Sequence, residues 1–358
     1  MHRRHTKAHF RLDLTTSAAY QSPGAAVLAH LFAQLISDEL NEYSYHAQVG
    51  MSSCAQSYAL HMHCTCTAHA LPCTAHALNM CMCMSHALHT QVAGLDYLVS
   101  NTSSGLSIRV EGYSHRLPLL LAKVVARLAE AQLCPERFAV QLDLVRRGYV
   151  NFFSDDPIRH AAYNVTHLLE LPRWHVSEYL AFASNADACS HAALVAFVRP
   201  GGALLAQTFA EALWHGNTSA ADAADATRGA LAALHGAPLP PSQRPAPRLL
   251  QLPVGVEVVM RQHASLLGAE SARHANPDET NSAVEVYLQI GPDARPDSLL
   301  LELLARCLEQ PVYQQLRTEE QLGYLVHSGV RFDHGVVGLR LLTTHYSLLT
   351  THYSLLTT

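Results

Sequence analysis

No run of about 18 consecutive apolar residues occurs anywhere in the 358-residue chain, so no segment is suited to crossing a bilayer as a helix. The N-terminal MHRRHTKAHFRLDL carries basic residues but lacks the apolar stretch that a secretory signal requires. An excess of positive charge is lacking too. Only 24 Lys and Arg stand against 29 Asp and Glu, which removes the basic footprint that phosphate-backbone binding needs. Neither a membrane nor a nucleic acid is an expected partner, and a cytoplasmic protein is the expectation. A disulfide framework is absent as well. Of nine cysteines, six crowd between Cys54 and Cys83, while Cys134, Cys189 and Cys307 stand apart without partner spacing. Those three are expected to be buried, reduced thiols.

The length suits about two domains, since single cores seldom grow past ~250 residues. From Phe10 an extended FRLDL leads into a helix that Ser22 caps, with Pro23 in the first position. Val27, Leu28, Leu31, Phe32, Leu35, Ile36 and Leu40 recur along it at helical spacing. LDYLVSNTSSGLSIRVEGY reads as a hairpin turning at Asn101 to Gly105, with Leu106, Ile108 and Val110 alternating on its second strand. Three helical stretches follow, LPLLLAKVVARLAEAQL, PERFAVQLDLVRRGYVNFF and PIRHAAYNVTHLLE, then a strand in TFAEALWHGN and an Ala-rich helix from Ser219 to Leu234. The proline-dense GAPLPPSQRPAPR breaks both periodicities and reads as a linker, residues 236–248. Beyond it VEVVMRQHA and AVEVYLQIG read as strands, PDSLLLELLARCLEQ as a helix, and LGYLVHSGVRFDHGVVGLRLLTT as a second hairpin.

The order of elements that opens the first domain therefore recurs after the linker. Placing Leu40 to Gln48 directly before Val92 aligns LNEYSYHAQVAGLDYLVS with QPVYQQLRTEEQLGYLVH. Tyr43 then falls on Tyr313, and Tyr97-Leu98-Val99 on Tyr324-Leu325-Val326. Two copies of one α/β unit are predicted. The alignment holds only when residues 49–91 are taken out as an insert, a low-complexity segment in which CTAHALP is followed by CTAHALN. THYSLLT likewise occurs twice in tandem and forms a repetitive tail, residues 344–358. Two short copies cannot stack into a solenoid, so insert and tail are both expected to be disordered.

YQQLRTEEQLGYLVHSGVR, Tyr313 to Arg331, closely resembles the insulinase or pitrilysin family of zinc metallopeptidases. DELNEYSYHA, GLDYLVSNTSSGLSIRVEGYSHRLPLLL, ERFAVQLDLVRRGYVNF and EALWHGN are similar to successive parts of the third of that family's four related α/β domains. The resemblance implies an α/β (α+β) fold of two homologous insulinase-type domains, each a sheet covered by helices. Residues 1–235 would be the third domain, interrupted by the insert, and 249–343 a partial, truncated fourth domain. It also implies a C-terminal, substrate-enclosing half. In the family two halves close around a peptide chamber, and zinc sits in the first domain on an inverted His-x-x-Glu-His motif. An Arg and a Tyr of the fourth-domain motif reach the bound peptide, and they fall on Arg317 and Tyr324, which the resemblance makes substrate-binding residues. A guanidinium and a phenol can both donate hydrogen bonds to a carbonyl in the scissile region.

The inverted motif itself is absent. HLLEL, from His167, and HVSEY, from His175, each have the first His and the Glu but no second His, so neither offers two imidazoles on adjacent turns to one Zn²⁺. No catalytic residue and no metal ligand is therefore assigned, and the chain alone is expected to be inactive. Zinc is expected only in the complete enzyme of the family, carried by an N-terminal catalytic half or by a homologous zinc-bearing subunit. The Cys/His-rich insert offers a different class of function. Cys64, Cys66, Cys81 and Cys83, with His69, His76, His86 or His89, could supply thiolates and imidazoles to Zn²⁺ or Cu(I), although no pair has the Cys-x₂-Cys spacing of zinc fingers.

Overall fold

The computed structural model describes residues 7–51, 95–261, 276 and 278–346. In chain order they form β1 (Lys7–Thr15), α1 (Pro23–Met51), β2 (Asp96–Thr102), β3 (Gly105–Tyr113), α2 (Leu117–Ala129), α3 (Pro135–Phe152) and α4 (Pro157–Leu169). Then come β4 (Glu170–Leu171), α5 (Val176–Ser184), α6 (His191–Val198), α7 (Ala203–Ala206), β5 (Gln207–Gly216), α8 (Ala220–Ala233), β6 (Ala237–Pro238) and β7 (Arg248–Leu249). The chain closes its described part with β8 (Asn281–Pro292), α9 (Arg295–Tyr313), a π-helical turn (Gln314–Glu319), β9 (Val326–Asp333) and β10 (Val336–Tyr346). The mixed α and β fold expected from the sequence is present. Most of the proposed insert and tail lies outside the described residues.

Two compact units form. Among the described residues, one takes in 7–51, 95–147 and 176–246, and the other 148–175 and 247–346. The first unit is built on a five-stranded sheet in the order β2-β3-β1-β5-β6. β1 runs antiparallel to both β3 and β5, and its alternate residues Ala8, Phe10, Leu12 and Leu14 are buried. Phe10 lies opposite Val110 and Trp214, Leu12 opposite Ile108, and Leu14 opposite Leu106, so apolar side chains run in rows across the strands. α1 begins where expected: the Ala25 N–H donates to Ser22 Oγ at 3.1 Å, and Pro23 occupies a position that needs no donor. Val27, Leu28, Leu31, Phe32, Leu35, Ile36 and Leu40 are all buried, packed between β2 and β3 on one side and α2, α5 and α6 on the other.

The second unit contains a three-stranded antiparallel sheet in the order β8-β10-β9. α9 covers one face, where Leu301 and Ala305 meet Val337 and Leu339, with Leu308 and Val330 at the margin. Strand, helix and hairpin thus follow one another in β8-α9-β9-β10 as in β1-α1-β2-β3, and the strand neighbours correspond. The duplication seen in the sequence is a duplication of topology.

The other face of this sheet is polar and meets α4. The buried Arg331 guanidinium pairs with Asp333, reaches Glu285 at 2.9 Å and donates to Thr166 Oγ1 at 2.7 Å, while Arg340 lies 3.1 Å from Glu285. Burial by itself lowers the pKa of Arg331, but Asp333 and Glu285 more than offset it and hold the group above the ordinary arginine value. Beside this network His334, at φ 47° in the β9–β10 turn, sits 3.3 Å from Glu170, which also accepts from Arg173 at 2.7 Å. The Glu170 contact raises the His334 pKa against the effect of burial, with smaller help from Asp333 and opposition from Arg173. For Glu170, burial pushes the pKa up, but His334 and Arg173 outweigh it and hold the carboxyl below its usual value.

The sign of the linkage follows. His334 has a raised folded pKa, so its contribution is full below the unfolded value of 6.5 and is lost as pH rises through the folded one. Glu170 has a depressed pKa, so its contribution is full above the unfolded value of 4.5 and is lost on acidification. The pair is therefore most stabilising between those two values. The stability advantage of the wild type over His334→Gln is therefore expected to be largest near pH 6 and to shrink as the pH rises toward 8, which differential scanning fluorimetry of both proteins across the range checks.

Three readings of the sequence need correction. Val256–Arg261, the described part of VEVVMRQHA, forms no strand, and Val256, Val258 and Val259 are exposed. No strand among the described residues pairs with it, and alternation without a neighbour does not make a sheet. The proline-rich stretch is anchored rather than free-running: Ala237–Pro238 pairs in parallel with Gln207–Thr208, Leu239 is buried, and the Arg244 guanidinium lies 3.5 Å from the Phe209 ring centroid. Cys134, Cys189 and Cys307 are all free thiols, but only Cys189 is buried; Cys134 is half-buried and Cys307 exposed. Burial pushes the Cys189 thiol up to about 11, so it is inert at neutral pH.

Candidate functional site

α9 ends in an unusual way. Pro311 lies inside it and supplies no N–H to the preceding turn, and after Tyr313 the helix widens into the π-type turn Gln314–Glu319. The Glu320 N–H donates to the Gln315 carbonyl at 2.9 Å and the Leu322 N–H to that of Leu316 at 3.0 Å, while Gln315 Nε2 donates to Glu320 Oε1 at 2.9 Å. Widened turns of this kind are uncommon and recur at functional sites, because they turn side chains away from the ordinary helical directions.

Arg317 sits on this turn in contact with two aromatic rings. Its Cζ lies 4.9 Å from the Tyr313 ring centroid and 4.4 Å from that of Tyr324. Arg317 is half-buried and Tyr324 is 63% exposed, so the pair presents donors at the surface. Among the described residues no carboxylate forms an ion pair with Arg317. Stacking engages the faces of the guanidinium and leaves its N–H edges available. The structure therefore brings together the two residues that the sequence singled out.

The loop that carries Tyr324 is fixed from behind. The Leu325 N–H donates to Thr344 Oγ1 at 3.2 Å, and the Thr344 N–H to the Leu325 carbonyl at 3.0 Å. Gly323 lies so close to this strand that a Cβ would stand 1.8 Å from the Thr344 carbonyl oxygen, which only glycine permits. Sequence reasoning did not assign Tyr313 or Thr344 to the site. The first had a signal, its alignment with Tyr43; the second had none, since Thr344 opens the repeat and was grouped with the tail, whereas β10 runs through it to Tyr346.

The two histidine near-miss motifs behave differently. His167 and His175 come together, ring centroids 5.2 Å apart, in a cluster where Tyr163 stacks on His167 at 5.9 Å and packs edge-on to His175 at 5.7 Å. Glu170, the carboxylate of the first motif, is taken by Arg173 and His334. These residues do not fit a zinc site of the inverted type, which needs two imidazoles and a free acid group. Among the described residues no group of three or more His, Cys, Asp and Glu is arranged to hold a metal ion. The cysteines and histidines from Cys64 to His89 lie outside them.

Comparison with known proteins places the chain. Residues 4–64 and 77–182 match the family model described as the middle or third domain of peptidase M16, and residues 303–343 match that of the PQQ synthase PqqF-like C-terminal lobe, domain 4. The chain is 29% identical over 342 residues to the peroxisomal insulin-degrading enzyme-like 1 of Arabidopsis thaliana, covering 94% of itself and 29% of that protein. It is 27% identical over 340 residues to insulin-degrading enzyme of Homo sapiens, covering 94% of itself and 27% of that protein. Among solved structures, pitrilysin superposes with a TM-score of 0.65 at 18% identity, over 96% of this chain and 30% of that one. The chain thus spans less than a third of the length of these relatives. With the third-domain match at one end and the C-terminal-lobe match at the other, the chain belongs to the M16, or insulinase, peptidase family as part of its C-terminal half.

Proposed function

We propose that this chain forms the substrate-enclosing part of an insulin-degrading-enzyme-like zinc metalloendopeptidase, and that Arg317 and Tyr324 bind the peptide. In this proposal residues 1–235 act as the third domain and 249–343 as part of the fourth, joined by 236–248. The observation that carries it is the Arg317 guanidinium packed against the Tyr313 and Tyr324 rings near the surface, on a π-type turn. Arg317 donates N–H groups, and Tyr324 its O–H, to a peptide carbonyl; as negative charge develops on that oxygen the same donors strengthen. Zinc, when present in the complete enzyme, supplies the activated water. Its ligands come from an N-terminal catalytic half or a separate zinc-bearing subunit, since the 358 residues contain no His-x-x-Glu-His.

The test is binding before catalysis. Fluorescein-labelled insulin is expected to bind the chain saturably by fluorescence anisotropy, and Arg317→Ala to weaken it about tenfold, the loss of charge-assisted bonds to a carbonyl. Tyr324→Phe removes one neutral donor and is expected to weaken binding less. Unchanged affinity in Arg317→Ala refutes the assignment.

A further inference from the structure

We propose that Tyr313 and Thr344 are positioning residues for the Arg317–Tyr324 pair, a step that rests on the peptide-binding assignment above. A solvated arginine samples many rotamers, and holding it in one orientation before a ligand arrives removes an ordering cost from binding. Tyr313 provides a wall for this purpose. It is the last residue of α9, a helix fixed to its sheet through Leu301, Ala305 and Leu308, and its ring centroid lies 4.9 Å from the guanidinium carbon. The Tyr324 ring lies closer, with its centroid 4.4 Å from the guanidinium carbon, but it stands on a loop, where it is 63% exposed. That loop needs a latch, and Thr344 supplies it through two hydrogen bonds to Leu325, one in each direction, and the close approach of Gly323. Wall and latch come from different elements, the end of α9 and the end of β10, so the geometry of the pair depends on both.

Tyr313→Leu keeps an apolar side chain at the helix end but removes the stacking face. It is expected to weaken binding of the labelled insulin about two- to fivefold, the range of an exposed cation–π contact, with Tyr313→Phe restoring it. Thr344→Val removes the Oγ1 acceptor while keeping the backbone bond and the shape, and is expected to produce a loss of the same order. A spectroscopic arm separates orientation from folding. In the wild type and in Tyr313→Phe the Arg317 Hε resonance is expected to show a ring-current shift, which Tyr313→Leu abolishes while circular dichroism is unchanged. If Arg317→Ala leaves affinity unchanged, the peptide-binding assignment fails, whatever the state of the stack. If Arg317→Ala weakens binding but Tyr313→Leu does not, or the Arg317 shift persists in Tyr313→Leu, the positioning proposal fails while the binding assignment stands. Equal losses in Tyr313→Phe and Tyr313→Leu also overturn it, because they assign the effect to the hydroxyl.

Discussion

Arg331→Ala is expected to destabilise the second unit by about 3–5 kcal/mol, the cost of leaving buried charges without their partner. The Arg331 side chain is 3% exposed, and it sits between Glu285 and Asp333, themselves 1% and 4% exposed. Removing it leaves two carboxylates in the interior, with Arg340 still 3.1 Å from the Glu285 oxygen that Arg331 also contacts. It also removes the bond from Arg331 to Thr166 that joins the sheet to α4. Arg331→Lys keeps the charge but loses the planar fork that reaches three acceptors, so an intermediate loss is expected. The chain has two tryptophans, and Trp174 lies in the second unit while Trp214 lies in the first. Urea titrations in a Trp214→Phe background follow the second unit through Trp174. A midpoint shift equivalent to less than ~1 kcal/mol, the worth of an exposed ion pair, contradicts the view that this network is the polar core of the unit.

The counterpart in the first unit is Phe32→Ala, for which a loss of about 3–5 kcal/mol is expected. Phe32 is fully buried on α1, a helix that packs against the strands β2 and β3 and the helices α2, α5 and α6. The sheet on one side is fixed by its ladder: β1, β3 and β5 are hydrogen-bonded along their lengths, so the walls cannot close on the space the ring leaves. Phe32→Leu fills most of that volume and is expected to lose less than half as much. Here the reporter is Trp214, which packs at a tilt against Phe10 with centroids 4.5 Å apart and donates to Thr227 Oγ1 at 3.0 Å, read in a Trp174→Phe background. Nearly equal stability in Phe32→Ala contradicts the placement of α1 in the core.

Where the sequence carried a strong period, it predicted the structure. The apolar residues of α1 and the alternation of Leu106, Ile108 and Val110 on β3 each specify one buried face, because a helix or strand that buries a face must repeat at its own geometric interval. The repeated order of strand, helix and hairpin was legible for the same reason. What periodicity cannot say is against which neighbour a face is buried. Residues 77–182 match a third-domain family model, yet α4 within them packs on β8 and β10 of the second unit, through Thr166 and Arg331. α6 has apolar residues on all sides over only eight positions, so it carries no helical period to recognise. The Val256–Arg261 stretch is rich in β-branched residues as a strand is, but lacks a described partner.

The candidate site divides in the same way. Arg317 and Tyr324 were legible because one long motif carries both, and the internal repeat singles out Tyr324 a second time. The role of Thr344 was not, because its contact with Leu325 spans 19 residues and depends on where β10 happens to pass. Tyr313 lies between the two cases: its alignment with Tyr43 singled it out, but its contact with Arg317, four residues on, was visible only in the structure.

The proposed role gives Arg317 and Tyr324 peptide binding and leaves cleavage to zinc-bearing residues outside these 358. The most direct measurement follows one labelled peptide in one sample, by anisotropy for binding and by mass spectrometry for cleavage, with equimolar zinc and then with a chelator. The expected result is saturable binding that Arg317→Ala weakens about tenfold, with the peptide intact under every condition. Chelator-sensitive cleavage by the chain alone, or binding indifferent to Arg317→Ala, would contradict it.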